Sequence, residues 1–369
     1  MKRQLLALCM ALSVLFPCGC ASMLNRDYAV VTPHSAAPSA DGDPSVLRVE
    51  RYQDLVNALT YLVTQGREMG TIRLYMGEDQ VDTDLSAACL EVVQEYPLGA
   101  YAVDFITYSV SPAITCFEAD IQITYRRTPE QVAAVVAATG ATAIRGELKN
   151  DLAVFAEESV LRINYFEGDE SDIRELVEEA YYAEPATALD LPDSTITIYP
   201  ESGRQCIVEV LLSYHLSREE LEYRQTQLTQ RAEAMVSPLP TGQGDEALLA
   251  VARAVLSAGG YWPEGGSTAY HALLEGGGNS EGLALAMALL CQIRGISCQV
   301  VKGTQNGAEQ FWNVLQTDTG YQHMDLSRED ERQFIFLSDQ EIEALGYQWD
   351  EDSTPLCALR ADRLTTPVV

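Results

Sequence analysis

Two rhythms of apolar residues alternate along this chain, one of period two and one near 3.6. Ile72, Leu74 and Met76 alternate with polar neighbours, as a half-buried strand does. Leu85, Ala88, Cys89, Val92 and Val93 then recur at the spacing of one helix face. Ile121, Ile123 and Tyr125 return to the strand period. The same order appears again further on, as VLRINYFEG, then SDIRELVEEAYYAEP, then CIVEVLLSYHLSREE, with Val210, Leu212 and Tyr214 in alternation. Ile72 matches Leu161 and Tyr125 matches Tyr214, and both pairs are 89 residues apart. An equal offset at both ends of so long a stretch predicts an internal duplication. An amphipathic helix precedes each copy (QDLVNAL, then NDLAVFA). Each unit therefore reads α–β–α–β–β, over 47–136 and 137–225, and the fold class expected is α+β.

Neither copy offers chemistry. Asp169, Glu170 and Asp172 sit at a turn and helix start, where negative charge suits the helix dipole. His215 follows a strand and is expected to be exposed. The units read as binding or spacer modules. A polar helix (LEYRQTQLTQRAEAMV) then runs into SPLPTGQG, a Pro/Gly stretch that marks a boundary within 226–243. A different domain is expected over 244–369.

The N-terminus adds a location. Lys2 and Arg3 precede an uncharged apolar run from Leu5 to Phe16, too short to span a bilayer comfortably. Residues 1–19 are expected to be a signal peptide. Gly19 before Cys20 resembles a bacterial lipoprotein cleavage site, so Cys20 is expected to carry the lipid, although Pro17 departs from that pattern. Ordinary secretion is the alternative. Residues 20–46, rich in Ala, Ser, Pro and Asp, are expected to form a flexible tether. The protein is thus expected to be exported and held outside the cytoplasm on a membrane through its lipid.

Charge and cysteines then exclude function classes. With 24 basic and 54 acidic residues the formal charge is -30, which repels phosphate backbones, so no nucleic acid is expected as a partner. Cys89, Cys116, Cys206, Cys291, Cys298 and Cys357 show no CxxC spacing and no neighbouring His pair. No metal site and no cofactor are expected. Buried free thiols are the expected state, with a disulfide left open for an exported chain.

The last 125 or so residues carry motifs in a definite order. A helix (DEALLAVARAVLSAGG) leads to Tyr261, then TAYHALLEGGGNSEGLALAMALLCQIRGISCQVVKG, QFWNVLQ, YQHMDLS and FLSDQEIEALGYQWDEDSTPLC. Together they resemble the transglutaminase-like superfamily of papain-like cysteine enzymes, which includes cross-linking enzymes, proteases and amidases. The resemblance implies an α+β domain with a cysteine at a helix N-terminus, a histidine on a neighbouring strand and an aspartate on the next. The helix dipole would favour the thiolate, the imidazole would carry the proton and the carboxylate would orient the ring.

Carried over position by position, the motif puts Ser280 at the nucleophile, ahead of Glu281, Gly282 and Ala284. Gln310, ahead of Trp312 and Asn313, takes the histidine position, and Asp325 the aspartate position. Only the third is intact. A serine hydroxyl needs a general base near neutral pH, and a glutamine amide cannot hold a proton as imidazole does. Trp312 and Asn313 are expected to be scaffold, with Trp312 walling the old cleft, and Ser280 and Gln310 could bond each other. His323 is the candidate replacement base, because it shares a strand face with Asp325. His271 is expected to be structural, Cys291 core and Cys298 apolar filler.

The function expected is a pseudoenzyme, binding or scaffolding a peptide or protein partner at the cell surface. The alternatives are an active hydrolase or acyltransferase using Ser280 with His323, and a purely structural spacer.

Overall fold

The computed structural model describes residues 38–41, 43–328 and 335–360. Cys20, the signal segment and the first two thirds of the tether lie outside the described residues. Among the described residues, no helix is long and apolar enough to cross a membrane.

The first copy opens with β1 (Ala40–Asp41) and β2 (Asp43–Val49), so the segment expected as tether already contains paired strand. Helix α1 (Tyr52–Thr64), β3 (Met69–Leu74), α2 (Glu78–Gln94), α3 (Pro97–Ala102), β4 (Val103–Pro112) and β5 (Phe117–Tyr125) follow. The strands order as β1-β2-β3-β5-β4. Strand β2 runs parallel to β3, and the other pairs are antiparallel. The helices form because their apolar residues line one face. Leu55, Leu59 and Leu62 of α1 pack with Leu85, Ala88 and Val92 of α2 against Ile72, Leu74 and Ile121 of the sheet.

The second copy repeats this order after a short helix, α4 (Pro129–Ala133), closed by a capping box in which Thr128 and Gln131 satisfy each other's backbone. It comprises β6 (Val136–Ala138), α5 (Gly140–Ala153), β7 (Glu158–Asn164), α6 (Glu170–Tyr182), β8 (Asp193–Tyr199) and β9 (Gln205–Ser213). The sheet order is β6-β7-β9-β8, the counterpart of β2-β3-β5-β4. The parallel pairs keep one register: Leu47 faces Ile72, and Val136 faces Leu161. Both partners lie 25 residues apart in sequence, and Val136 lies 89 residues after Leu47. The duplication thus includes a leading parallel strand that the α–β–α–β–β reading left out. Asp169, Glu170 and Asp172 sit at the start of α6, with Asp172 accepting from Asp169 N at 2.7 Å. His215 is exposed and bonded to Asp190.

Among the described residues two compact units emerge: those up to 144 with 160–173 and 196–210, and 145–159 with 174–195 and those from 211 onward. The second contains the ordered motifs of residues 244–369. In it, α7 (Arg218–Val236), α8 (Asp245–Ala258), β10 (Tyr261–Gly266), α9 (Ala269–Leu274) and α10 (Ser280–Ile293) precede a sheet. The sheet is antiparallel, ordered β13-β12-β11-β14, from β11 (Cys298–Gln305), β12 (Ala308–Thr317), β13 (Gly320–Met324) and β14 (Tyr347–Trp349). A one-turn helix, α11 (Asp339–Glu343), lies between the last two. Helix α10 is buried continuously from Gly282 to Cys291, as its nearly all-apolar sequence dictates. Cys291 is in this core. All six cysteines from Cys89 onward are free thiols.

Candidate functional site

Alternation along β12 assigns its side chains to two faces. Asn313 turns to helix α10, where its Nδ2 donates to Ala284 O at 2.9 Å, and the backbone N–H of Phe311 donates to Ser280 Oγ at 3.4 Å. Asn313 is 1% exposed and anchors the helix to the sheet. Gln310 and Trp312 take the other face.

Gln310 Nε2 donates to Asp325 Oδ2 at 2.7 Å and to Ser327 Oγ at 2.6 Å. Buried Asp325 also accepts from Tyr347 OH at 2.6 Å, Ser327 N at 2.8 Å and Ser327 Oγ at 2.7 Å. Four donors therefore saturate the carboxylate. Ser280 and Gln310 do not bond each other as expected. The serine accepts from the strand backbone, and the amide is committed to Asp325 and Ser327. The structure does bring the three positions into one neighbourhood, with Ser280 beside Phe311 and Gln310 on Asp325. The serine opens α10, whose N-cap Asn279 accepts from Gly282 N at 3.0 Å.

Trp312 does not wall a cleft. At 1% exposure it is sealed among Tyr347, Trp349 and His323, each meeting it edge-on or tilted. A Cβ on Gly303 would collide with the Trp312 ring and the Gln348 carbonyl, so glycine is what admits the indole. His323 belongs to the same core. Trp312 Nε1–H donates to its Nδ1 at 2.9 Å, which places the ring proton on Nε2, facing Asp339 Oδ1 at 2.9 Å. Burial lowers the His323 pKa, with Asp339 opposing. Both nitrogens are occupied, and neither meets Ser280.

His323, Asp339 and Cys357 form a cluster with donor atoms within 4.8 Å of one another. No sequence signal marks it, because three isolated residues spread over 35 positions follow no ligand spacing. A cation on Nε2 would need the imidazole proton on Nδ1, where it would confront the Trp312 N–H. Burial and then Asp339 push the Cys357 thiol up to about 12, and its Sγ–H points to Pro355 O. Asp339 Oδ2 accepts from Cys357 N at 3.0 Å. The cluster works as a clasp holding the C-terminal segment, and its donors do not fit a metal.

Glu281 adds an unusual group beside Ser280. Burial raises its pKa to about 7, and Glu309 adds to this, while the Tyr182 hydroxyl, which donates to Oε1 at 3.0 Å, lowers it. The Tyr182 ring also leans on Phe311, with centroids 5.5 Å apart. Tyr182 therefore touches the chain neighbours of both Ser280 and Gln310.

No family model matches the chain, and no curated protein matches it. Among solved structures, a TGase crystal structure is similar at 12% identity and a TM-score of 0.25, over 64% of this chain and 68% of that one. A candidate protease from Parabacteroides distasonis is similar at 10% identity and a TM-score of 0.22, over 70% of this chain and 40% of that one. At such TM-scores the likeness is distant and establishes no common fold across the chain.

Proposed function

We propose that residues 244–369 form a non-catalytic domain on a transglutaminase-like frame, which binds a peptide or protein partner. In this reading Cys20 anchors the chain to a membrane by its lipid, outside the cytoplasm, and the duplicated units serve as binding or spacer modules. The bond from Gln310 to Asp325 carries the reading. An amide stands where proton transfer would need an imidazole, and it is oriented by the same carboxylate. Ser280 has a backbone N–H as its partner and no base. The alternative of an active Ser280–His323 hydrolase loses support, since His323 uses both nitrogens elsewhere.

Intact mass spectrometry after treatment with a fluorophosphonate tests the proposal, together with turnover of a glutamine peptide and an amine donor. Neither adduct nor turnover is expected. A stoichiometric adduct on Ser280, or turnover abolished by Ser280→Ala, overturns it.

A further inference from the structure

A recess of about 320 Å³ opens where the glycine turn before Ser280 meets β10, lined by Trp262, Glu264, Gly265, Gly266, His271, Glu275 and the Gly276–Gly277 pair. Trp262 is 60% exposed, yet fixed: its Nε1 donates to Gly259 O at 3.2 Å, and its ring lies so close to Gly277 that a Cβ there would strike it. An aromatic ring that is held in place while most of its surface meets solvent has a face to offer. Glycine is likewise required at 266, where a Cβ would run into the His271 ring.

His271 is oriented too. Thr268 Oγ1 accepts from His271 N at 3.4 Å and shares a hydrogen bond with His271 Nδ1 at 2.7 Å, and Nε2 lies 3.7 Å from Glu275 Oε2. The recess thus combines a flat π-face, two carboxylates and a histidine that steadies one of them. It has no Lys or Arg in its lining.

We infer that this recess binds a guanidinium group, such as the side chain of an arginine in a bound peptide. This deepens the proposed binding role and rests on it. A guanidinium is planar and weakly hydrated, so it can stack on the Trp262 indole while its edge meets a carboxylate in two parallel hydrogen bonds. An ammonium is compact and strongly hydrated and gains less from a shallow slot with one aromatic wall. A neutral ligand would make no use of the charge of Glu264 and Glu275, the second of which also feels Arg224.

The test is calorimetric titration of the full chain with capped Ala-Arg-Ala, Ala-Lys-Ala and Ala-citrulline-Ala peptides. Citrulline keeps the shape of arginine and removes the charge. Binding of the arginine peptide is expected, with the citrulline peptide weaker by about tenfold or more and the lysine peptide between them. Trp262→Leu and the exposed pair Glu264→Gln/Glu275→Gln should each abolish the preference for arginine, with far-UV circular dichroism unchanged. Equal binding of arginine and citrulline peptides, or a preference that survives both variants, overturns the inference. A mixed-sequence peptide pool separates the two claims. If the pool binds while the arginine peptide does not, the recess is misassigned and the binding role stands. If neither binds, both fall.

Discussion

The amide of Gln310 reaches the carboxylate of Asp325 across 2.7 Å, the contact an imidazole N–H would make at that position. On the proposed reading, that bond is the orienting contact of a triad without the group that moves protons. Restoring both missing groups tests this. Ser280→Cys alone should react slowly with iodoacetamide at pH 7, since no base is near. The double variant Ser280→Cys/Gln310→His should react at least about tenfold faster, as expected for a thiol lowered by a neighbouring imidazole at a helix N-terminus. Equal rates for the single and double variants would show that position 310 does not address position 280.

Asp325 should matter far more to stability than Ser280. Asp325→Ala strands the donors of Gln310, Tyr347 and Ser327 in a buried site and should cost about 3 kcal/mol or more. Ser280→Ala removes one long contact at 3.4 Å and should cost under about 1 kcal/mol. Urea denaturation of both variants measures the difference, and similar midpoints would contradict the network.

His323 should stay neutral near pH 7. Its folded pKa is lowered, so the stability it contributes is present above the ordinary histidine range and is lost as pH falls through the folded value. Nitrogen-detected NMR should find the proton on Nε2, with no titration at the usual midpoint. An imidazolium signal at pH 6.5 would refute the Trp312–His323–Asp339 arrangement.

Glu281 has the opposite sign. Its folded pKa, near 7, is raised, so its favourable contribution is complete below about pH 4.5 and disappears as pH rises through 7. Glu281→Gln keeps an acceptor for Tyr182 and removes the buried charge. The variant should be more stable than the parent at pH 8, by up to about 3 kcal/mol, and close to it at pH 4. Thermal melts at the two pH values read this directly. A variant destabilised at pH 8 would mean the carboxylate is needed in its charged form.

The strands and helices with long periodic runs were legible in the sequence. Helix α2 and strands β3, β5 and β9 stand where Leu85, Ile72, Ile121 and Val210 pointed. Strands β2 and β6 were not. The first begins in a segment of tether-like composition, and the second has only three residues, too few to show alternation. In the site, side-chain type told which chemistry was missing. It does not tell which face of β12 each residue takes against a helix packed on one side, so motif position alone points Trp312 to a cleft wall, whereas it belongs to an aromatic core. The clasp of His323, Asp339 and Cys357 is a tertiary product with no local pattern to read.

The equal spacing of the two parallel strand pairs has a genetic reading. Because Leu47 and Val136 each meet a partner 25 residues downstream, every pairing in a unit is written within that unit. Unequal crossing-over between the two copies would add or remove 89 codons and leave each sheet's register intact. Length changes in this part of the chain should therefore come in whole units, whereas an insertion of a few residues between a leading strand and its partner would shift one sheet against itself.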